Sequence, residues 1–326
     1  MGTHGTAAGT NLLTNRRPGL ARRLALPAAS LCLAGCLSGA AAIGLYIVLY
    51  TWGRTPLDAL WLALDLCGAL AIGLLLPWRR GRLLLAAAMA LPACLVALTA
   101  LLTPGAALSY LLLAWILAAG TALGDRLLTL LGPRPAPAPA ERLLLAAVLG
   151  LGALSLLVLL LAAAGWLYPA SLYALLAVPS ALFLPGLARN LQAPAGEARR
   201  WAREQWRQAD QRVPALALGA VAFSLPAALL WALAPATHYD ALAYHLPVPA
   251  AYLRAHGLVA LPEVFQSVWA HNAEMLYTLA LGTAGQPLPA LLHLAAGLLA
   301  TGLVCVLGRR LGGWRVGLAG AALFWI

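Results

Sequence analysis

Long apolar runs, separated by short Arg-bearing segments, recur along the whole chain. They lie at roughly 25–50, 57–77, 83–103, 106–124, 143–165, 170–188, 214–235 and 287–308, and a ninth begins near 314. Each approaches the roughly 20 residues that a bilayer-spanning helix needs. Leu and Ala dominate the runs, and both are strong helix formers. No stretch shows the alternating ten-residue pattern of a membrane barrel. In lipid the backbone must satisfy its own hydrogen bonds within the segment, which a helix does. The pattern therefore predicts an all-α polytopic membrane protein with eight spans and the start of a ninth.

Composition agrees. Hydrophobic residues make up 63% of the 326 and charged residues 10%, against about 25% charged in soluble domains. The net charge of +11 would fit a nucleic-acid partner, but its distribution excludes that reading. All 21 basic residues are Arg, in clusters between the apolar runs. With the N-terminus in the cytoplasm, only Arg54 and Arg254 fall outside, as the positive-inside rule requires. The apolar run after Arg22 and Arg23 is too long for a cleavable signal, so it is read as the first span. The chain then divides into a cytoplasmic arm (1–24), a six-span membrane module (25–188), a basic linker (189–213) and a final region (214–326). Trp201 and Trp206 among the linker arginines suit a helix on an anionic membrane surface, or an ordinary inner loop. The Pro-rich stretch from Pro133 to Pro139 predicts an extended connector. Ending at Phe324-Trp325-Ile326, about a dozen residues into the ninth run, the chain reads as the N-terminal part of a longer protein.

One outer segment, 236–286, is not simply apolar. It holds His238, Tyr239, Asp240, Tyr244, His245, Tyr252, Arg254, His256, Glu263, His271, Asn272 and Glu274. The apolar stretch 272–283 within it is too short to span and is expected to lie along the outer membrane surface. Asp240 and Tyr244, four residues apart, share a face in a helix. An acid at the membrane edge among His and Tyr suits a general base whose pKa partial desolvation can tune. Asp240 also suits a helix cap.

The succession of a span, His238-Tyr239-Asp240, Tyr244-His245, Tyr252-Leu253, His256-Gly257, Pro262 and Asn272-Ala273-Glu274-Met275-Leu276-Tyr277 resembles the first large outer loop of GT-C-fold glycosyltransferases. These multi-span enzymes use polyprenyl-phosphate sugars and include the protein O-mannosyltransferases and lipid A aminoarabinose transferases. The resemblance covers residues 214–326. It implies that Asp240 is the essential acid, that 241–256 and 272–283 are the two surface helices, and that 287–310 is the returning span. It further implies an inverting sugar transfer in which Asp240 takes the acceptor proton, with Tyr244 and His245 beside it. Arg254 is the candidate phosphate partner, with His238 and Glu274 as further substrate-binding candidates; Glu274 equally suits a cap. A snorkelling role for Arg254 fits as well. His238, Asp240, His245 and His271 are the residues that could hold a divalent metal ion. A lipid-linked sugar and membrane lipids are the implied partners. The chain departs from the family in carrying six spans before the loop and in ending before a second outer acidic site, so this stretch alone is expected to be inactive.

Outside the loop, Asp58 and Asp65 share a face of the second span, where a carboxylate is either a coupling group or a structural partner. Gly35 and Gly39 suit close helix packing in the first span. Cys32, Cys36, Cys67, Cys94 and Cys305 sit in apolar runs and read as small buried hydrophobes. Two other functions remain open on the sequence: a transporter or flippase of lipid-linked material with Asp65 as its coupling group, and a non-catalytic membrane scaffold.

Overall fold

A computed structural model describes residues 94–103, 105–133, 136–190 and 224–325, with Gly196 and Arg200 as isolated positions. Among the described residues every regular element is helical. The first two spans, with Asp58, Asp65 and the paired Gly35 and Gly39, lie outside them, as does nearly all of the basic linker.

Helix α1 covers 94–102. It is followed by α2 (Ala106–Leu131), α3 (Pro139–Ala163) and α4 (Pro169–Asn190). A shorter apolar helix, α5 (Ser224–Leu233), precedes the loop. In the loop a single π-helical turn (Ala241–His245) leads into α6 (Pro247–Ala255), then a 3-10 turn (Phe265–Val268) and α7 (Asn272–Ala284). The last helix, α8, runs from Leu288 to Trp325. Four of these (α2, α3, α4 over Pro169–Ala188, and α8) are long and apolar enough to cross a membrane.

Helix ends differ from expectation for local reasons. α2 runs on through Asp125 and Arg126 to a left-handed Gly132, because Asp125 is held by the next helix. α3 starts at Pro139 rather than near 143, since proline's fixed φ suits a first helical turn. α8 is two legs. Gly312 and Gly313 break it, and a side chain on Gly317 would strike the Cys305 carbonyl and Arg309 of the first leg. The second leg thus folds back antiparallel to the first, matching the expected return through the membrane after 308.

α2 and α3 form the tightest pair. A side chain on Gly124 would collide with the Ala146 carbonyl, and one on Gly150 with the Gly120 carbonyl. Small residues at such crossings let two backbones touch, and that contact holds helices together where lipid removes the hydrophobic drive. This Gly120/Gly124 pair was not singled out in the sequence.

The main core gathers Leu112 and Ile116 of α2, Leu154 and Val158 of α3, Leu172 and Leu176 of α4, Val248 and Tyr252 of α6, and Met275 and Leu279 of α7. All the α2, α3 and α4 members come from one half of their helices, the half nearest the α3–α4 connection. The loop helices are therefore built into that end of the bundle. A second cluster, Leu229, Ala232 and Leu291, fastens α5 to α8.

Candidate functional site

α6 is anchored first. Gly257 lies close against the Ala162 carbonyl and Gly165, where a side chain would be tightly packed. The Leu258 amide donates to the Ala162 carbonyl (3.1 Å) and the Leu167 amide to the His256 carbonyl (3.0 Å). His256 closes α6 at φ 55°, a left-handed conformation unusual outside glycine. Its ring stacks on Tyr168 with centroids 4.1 Å apart. His256 is thus a structural fastening.

α7 is anchored next, and it packs against the bundle on more than one face. Its start is tied to mid-α3 by Ser155 Oγ, which donates to the Asn272 carbonyl (2.7 Å). Ser155 lies eight residues before the α3 terminus at Ala163, about 12 Å along the axis at 1.5 Å per residue. Its far end is held by the Tyr173 hydroxyl, which donates to the Thr283 carbonyl (2.8 Å). Glu274, Met275, Tyr277, Thr278, Leu279 and Ala280 are all buried. The helix is recessed among α3, α4 and α6 because two of its faces, not one, are apolar or small.

That recess carries Glu274 inward, with its side chain 8% exposed. It does not cap its helix. Its Oε1 lies 2.7 Å from His245 Nδ1, and an ionised carboxylate only accepts, so Nδ1 carries the hydrogen. Its Oε2 lies 3.8 Å from His271 Nδ1. His271 Nε2 faces the Gln266 carbonyl at 2.9 Å and must donate to it. His271 Nδ1 is left buried without a hydrogen bond. An extra proton there would turn it into a donor facing Glu274. One buried carboxylate thus serves two imidazoles, one from the π-helical turn and one from the start of α7.

Aromatic rings wall this group. Tyr244 packs on His245 (centroids 4.1 Å) and meets Trp269 edge-on (5.9 Å). The Tyr277 ring meets His245 edge-on at 6.0 Å, and its hydroxyl bonds His293 Nδ1 of α8 at 2.6 Å. Burial, then the Glu274 charge, then Tyr244 push the Tyr277 phenol up to about 12. The Tyr244 phenol is also raised, by desolvation first and then by Asp240 and Glu274. Two carboxylates therefore act on one tyrosine.

Asp240 precedes the π-helical turn, near enough for its charge to act on Tyr244. It adopts helical geometry before the π-helical turn and caps nothing, which removes the capping role. Half-buried, it makes no hydrogen bond or ion pair among the described residues. A carboxylate that the fold does not occupy is free to accept a proton.

Two expected members stand apart. Arg254 is exposed, two positions from buried Tyr252 and so about 200° around α6 from the core face. No ion pair or hydrogen bond joins it to the Glu274 group among the described residues. His238 packs on Trp231 of α5 at 5.5 Å. Among the described residues no three His, Cys, Asp or Glu side chains are placed to hold a metal ion. Tyr277, His293 and Trp269 were not among the sequence candidates. Tyr277 was within reach, since it sits three residues after Glu274 on the same helical face.

Comparison with known protein families, curated proteins and solved structures returns no match.

Proposed function

We propose that this protein is a membrane glycosyltransferase of the GT-C type that moves a sugar from a polyprenyl-phosphate donor to an acceptor at the outer membrane face. The observation that carries the reading is the Asp240 carboxylate: uncapped, unengaged among the described residues, and set at the entrance of a loop that is packed into the end of a helical bundle. A fold that needed Asp240 for stability would give it a partner. Asp240 takes the proton of the acceptor hydroxyl, the acceptor oxygen bonds the anomeric carbon from the face opposite the phosphate, and the bond to the phosphate oxygen breaks. The lipid phosphate departs with the electron pair. Positioning and electrostatics supply most of the acceleration in such a displacement.

The topology that goes with this reading has eight spans, the start of a ninth, a cytoplasmic N-terminus and the 236–286 loop outside. Arg126, Arg142, Arg309 and Arg310 support it by lying at the bundle end remote from the loop. The test is transfer from a panel of radiolabelled polyprenyl-phosphate sugars in membranes containing the protein. Label moving from the lipid to a hydroxyl acceptor sustains the reading. Lipid-linked material that crosses the membrane with its sugar still attached replaces it with the flippase reading. Neither outcome from any donor leaves the scaffold.

A further inference from the structure

We infer that His245, held by Glu274, is the cation that receives the phosphate of a lipid-borne sugar phosphate. The sugar part rests on the glycosyltransferase reading, but phosphate capture is measurable without it. Breaking the anomeric bond leaves added negative charge on the phosphate, and a site for that chemistry needs a positive group placed in advance. Arg254 faces away from the group, and no metal-holding set exists among the described residues. Among the described residues, the geometry of His245 fits the task.

Its Nδ1 is committed to Glu274 Oε1 at 2.7 Å, while its side chain keeps 34% exposure against 8% for the carboxylate. The exposed edge of the ring is therefore the Nε2 edge. A buried carboxylate on one imidazole nitrogen fixes the ring's orientation and stabilises the imidazolium, leaving the other nitrogen aimed outward. Tyr244 against one side and Tyr277 at the edge prevent the ring from turning away. Glu274 is the positioning residue and touches no substrate.

The step balances without another reactant. The acceptor's proton goes to Asp240. The anomeric carbon exchanges its bond to the phosphate oxygen for a bond to the acceptor oxygen. The electron pair stays on the phosphate oxygen, which accepts the Nε2–H hydrogen bond of His245. A charge-assisted hydrogen bond of this kind is worth roughly a 10- to 100-fold change in affinity.

The experiment measures binding of a short polyprenyl phosphate to the protein in zwitterionic lipid nanodiscs at about pH 6, where a free imidazole is largely charged. Polyprenol of the same length reports on the fold and the apolar contacts. His245→Gln and Glu274→Gln are each expected to weaken the phosphate ligand about 10- to 100-fold and leave polyprenol unchanged. Undiminished phosphate binding in His245→Gln overturns the inference, as does a loss confined to Arg254→Gln. If His245→Gln loses polyprenol too, the isosteric Glu274→Gln decides by the same criterion. Inorganic phosphate that binds as tightly as the lipid phosphate overturns the lipid-borne assignment. Phosphate capture that depends on His245 without sugar transfer keeps this inference and removes the glycosyltransferase reading; transfer with no such dependence does the reverse.

Discussion

The two ends of the α2–α3–α8 bundle both pair carboxylates with nitrogen bases, and they do so in opposite ways. At the Arg end, Arg142 Nε donates to Asp125 Oδ1 at 2.6 Å and its Nη2 to Thr129 Oγ1 at 2.8 Å. Arg310 reaches Glu141 at 2.6 Å with 55% of its side chain exposed. Arg309 lies over the Trp314 ring at 4.5 Å. Guanidinium never gives up its proton in a protein, so the cationic member of each pair keeps its charge, and the pairs link helix ends. At the loop end, Glu274 is buried and its partners are two imidazoles, one from the π-helical turn and one from the start of α7. Beside it Asp240 has no partner among the described residues. One end joins its carboxylates to guanidinium groups, and the other sets one carboxylate against imidazoles and leaves Asp240 unengaged among the described residues.

The largest effect on stability should come from the scaffold both ends share. Gly150→Leu drives a side chain into the Gly120 backbone, so the expected cost is about 3 kcal/mol or more, read as a lower unfolding temperature or loss of folded protein. Wild-type stability in this variant would mean that α2 and α3 do not cross at these glycines.

A smaller effect distinguishes the loop end by pH. Below about pH 10 the Tyr277 phenol is neutral whether folded or unfolded. Between there and about 12 the unfolded phenol ionises while the folded one keeps its proton. The unfolded state then binds fewer protons, so stability falls as pH rises through that window, by roughly 2–3 kcal/mol in all. Tyr277→Phe should flatten this slope, and an unchanged alkaline profile in that variant would remove Tyr277 as its source.

Smaller still is Arg142→Gln. It removes the guanidinium that bonds Asp125, whose side chain is 14% exposed, and Thr129. A cost of about 1–3 kcal/mol is expected with sugar transfer unimpaired at a temperature where the variant is folded. Transfer lost along with a modest stability change would erase the proposed division between the ends.

Much of this was legible in the chain. The apolar runs gave the positions of α2, α3 and α4, because length and continuity alone specify a spanning helix. The break between the runs at 287–308 and from 314 anticipated two legs in α8, though the Gly312-Gly313 pair that makes it was not singled out. The concentration of His and acid in 236–286 pointed to the loop-end candidate site, and Asp240 and His245 were singled out by residue type. What periodicity could not supply was depth. Residues 272–283 read as a surface helix because they are too short to span, yet their small and apolar residues on more than one face bury them against α3. Glu274 follows that helix inward and meets His245, twenty-nine residues away in sequence, a pairing that no local spacing encodes. The direction of Arg254 was not legible either, because it depends on which face of α6 carries Tyr252. The π-helical turn at 241–245 also shifts the expected one-turn relation of Asp240 and Tyr244, and the two now meet through charge around a tyrosine that Glu274 also senses.

The most direct measurement is single-turnover sugar transfer by Asp240→Asn beside wild type, in membranes with matched expression and with thermal unfolding followed on the same samples. The account predicts a loss of about 10²- to 10⁴-fold, the usual worth of a positioned general base, with the unfolding temperature unchanged, since Asp240 holds nothing together. Transfer at the wild-type rate, or a loss that tracks a drop in stability, would contradict it.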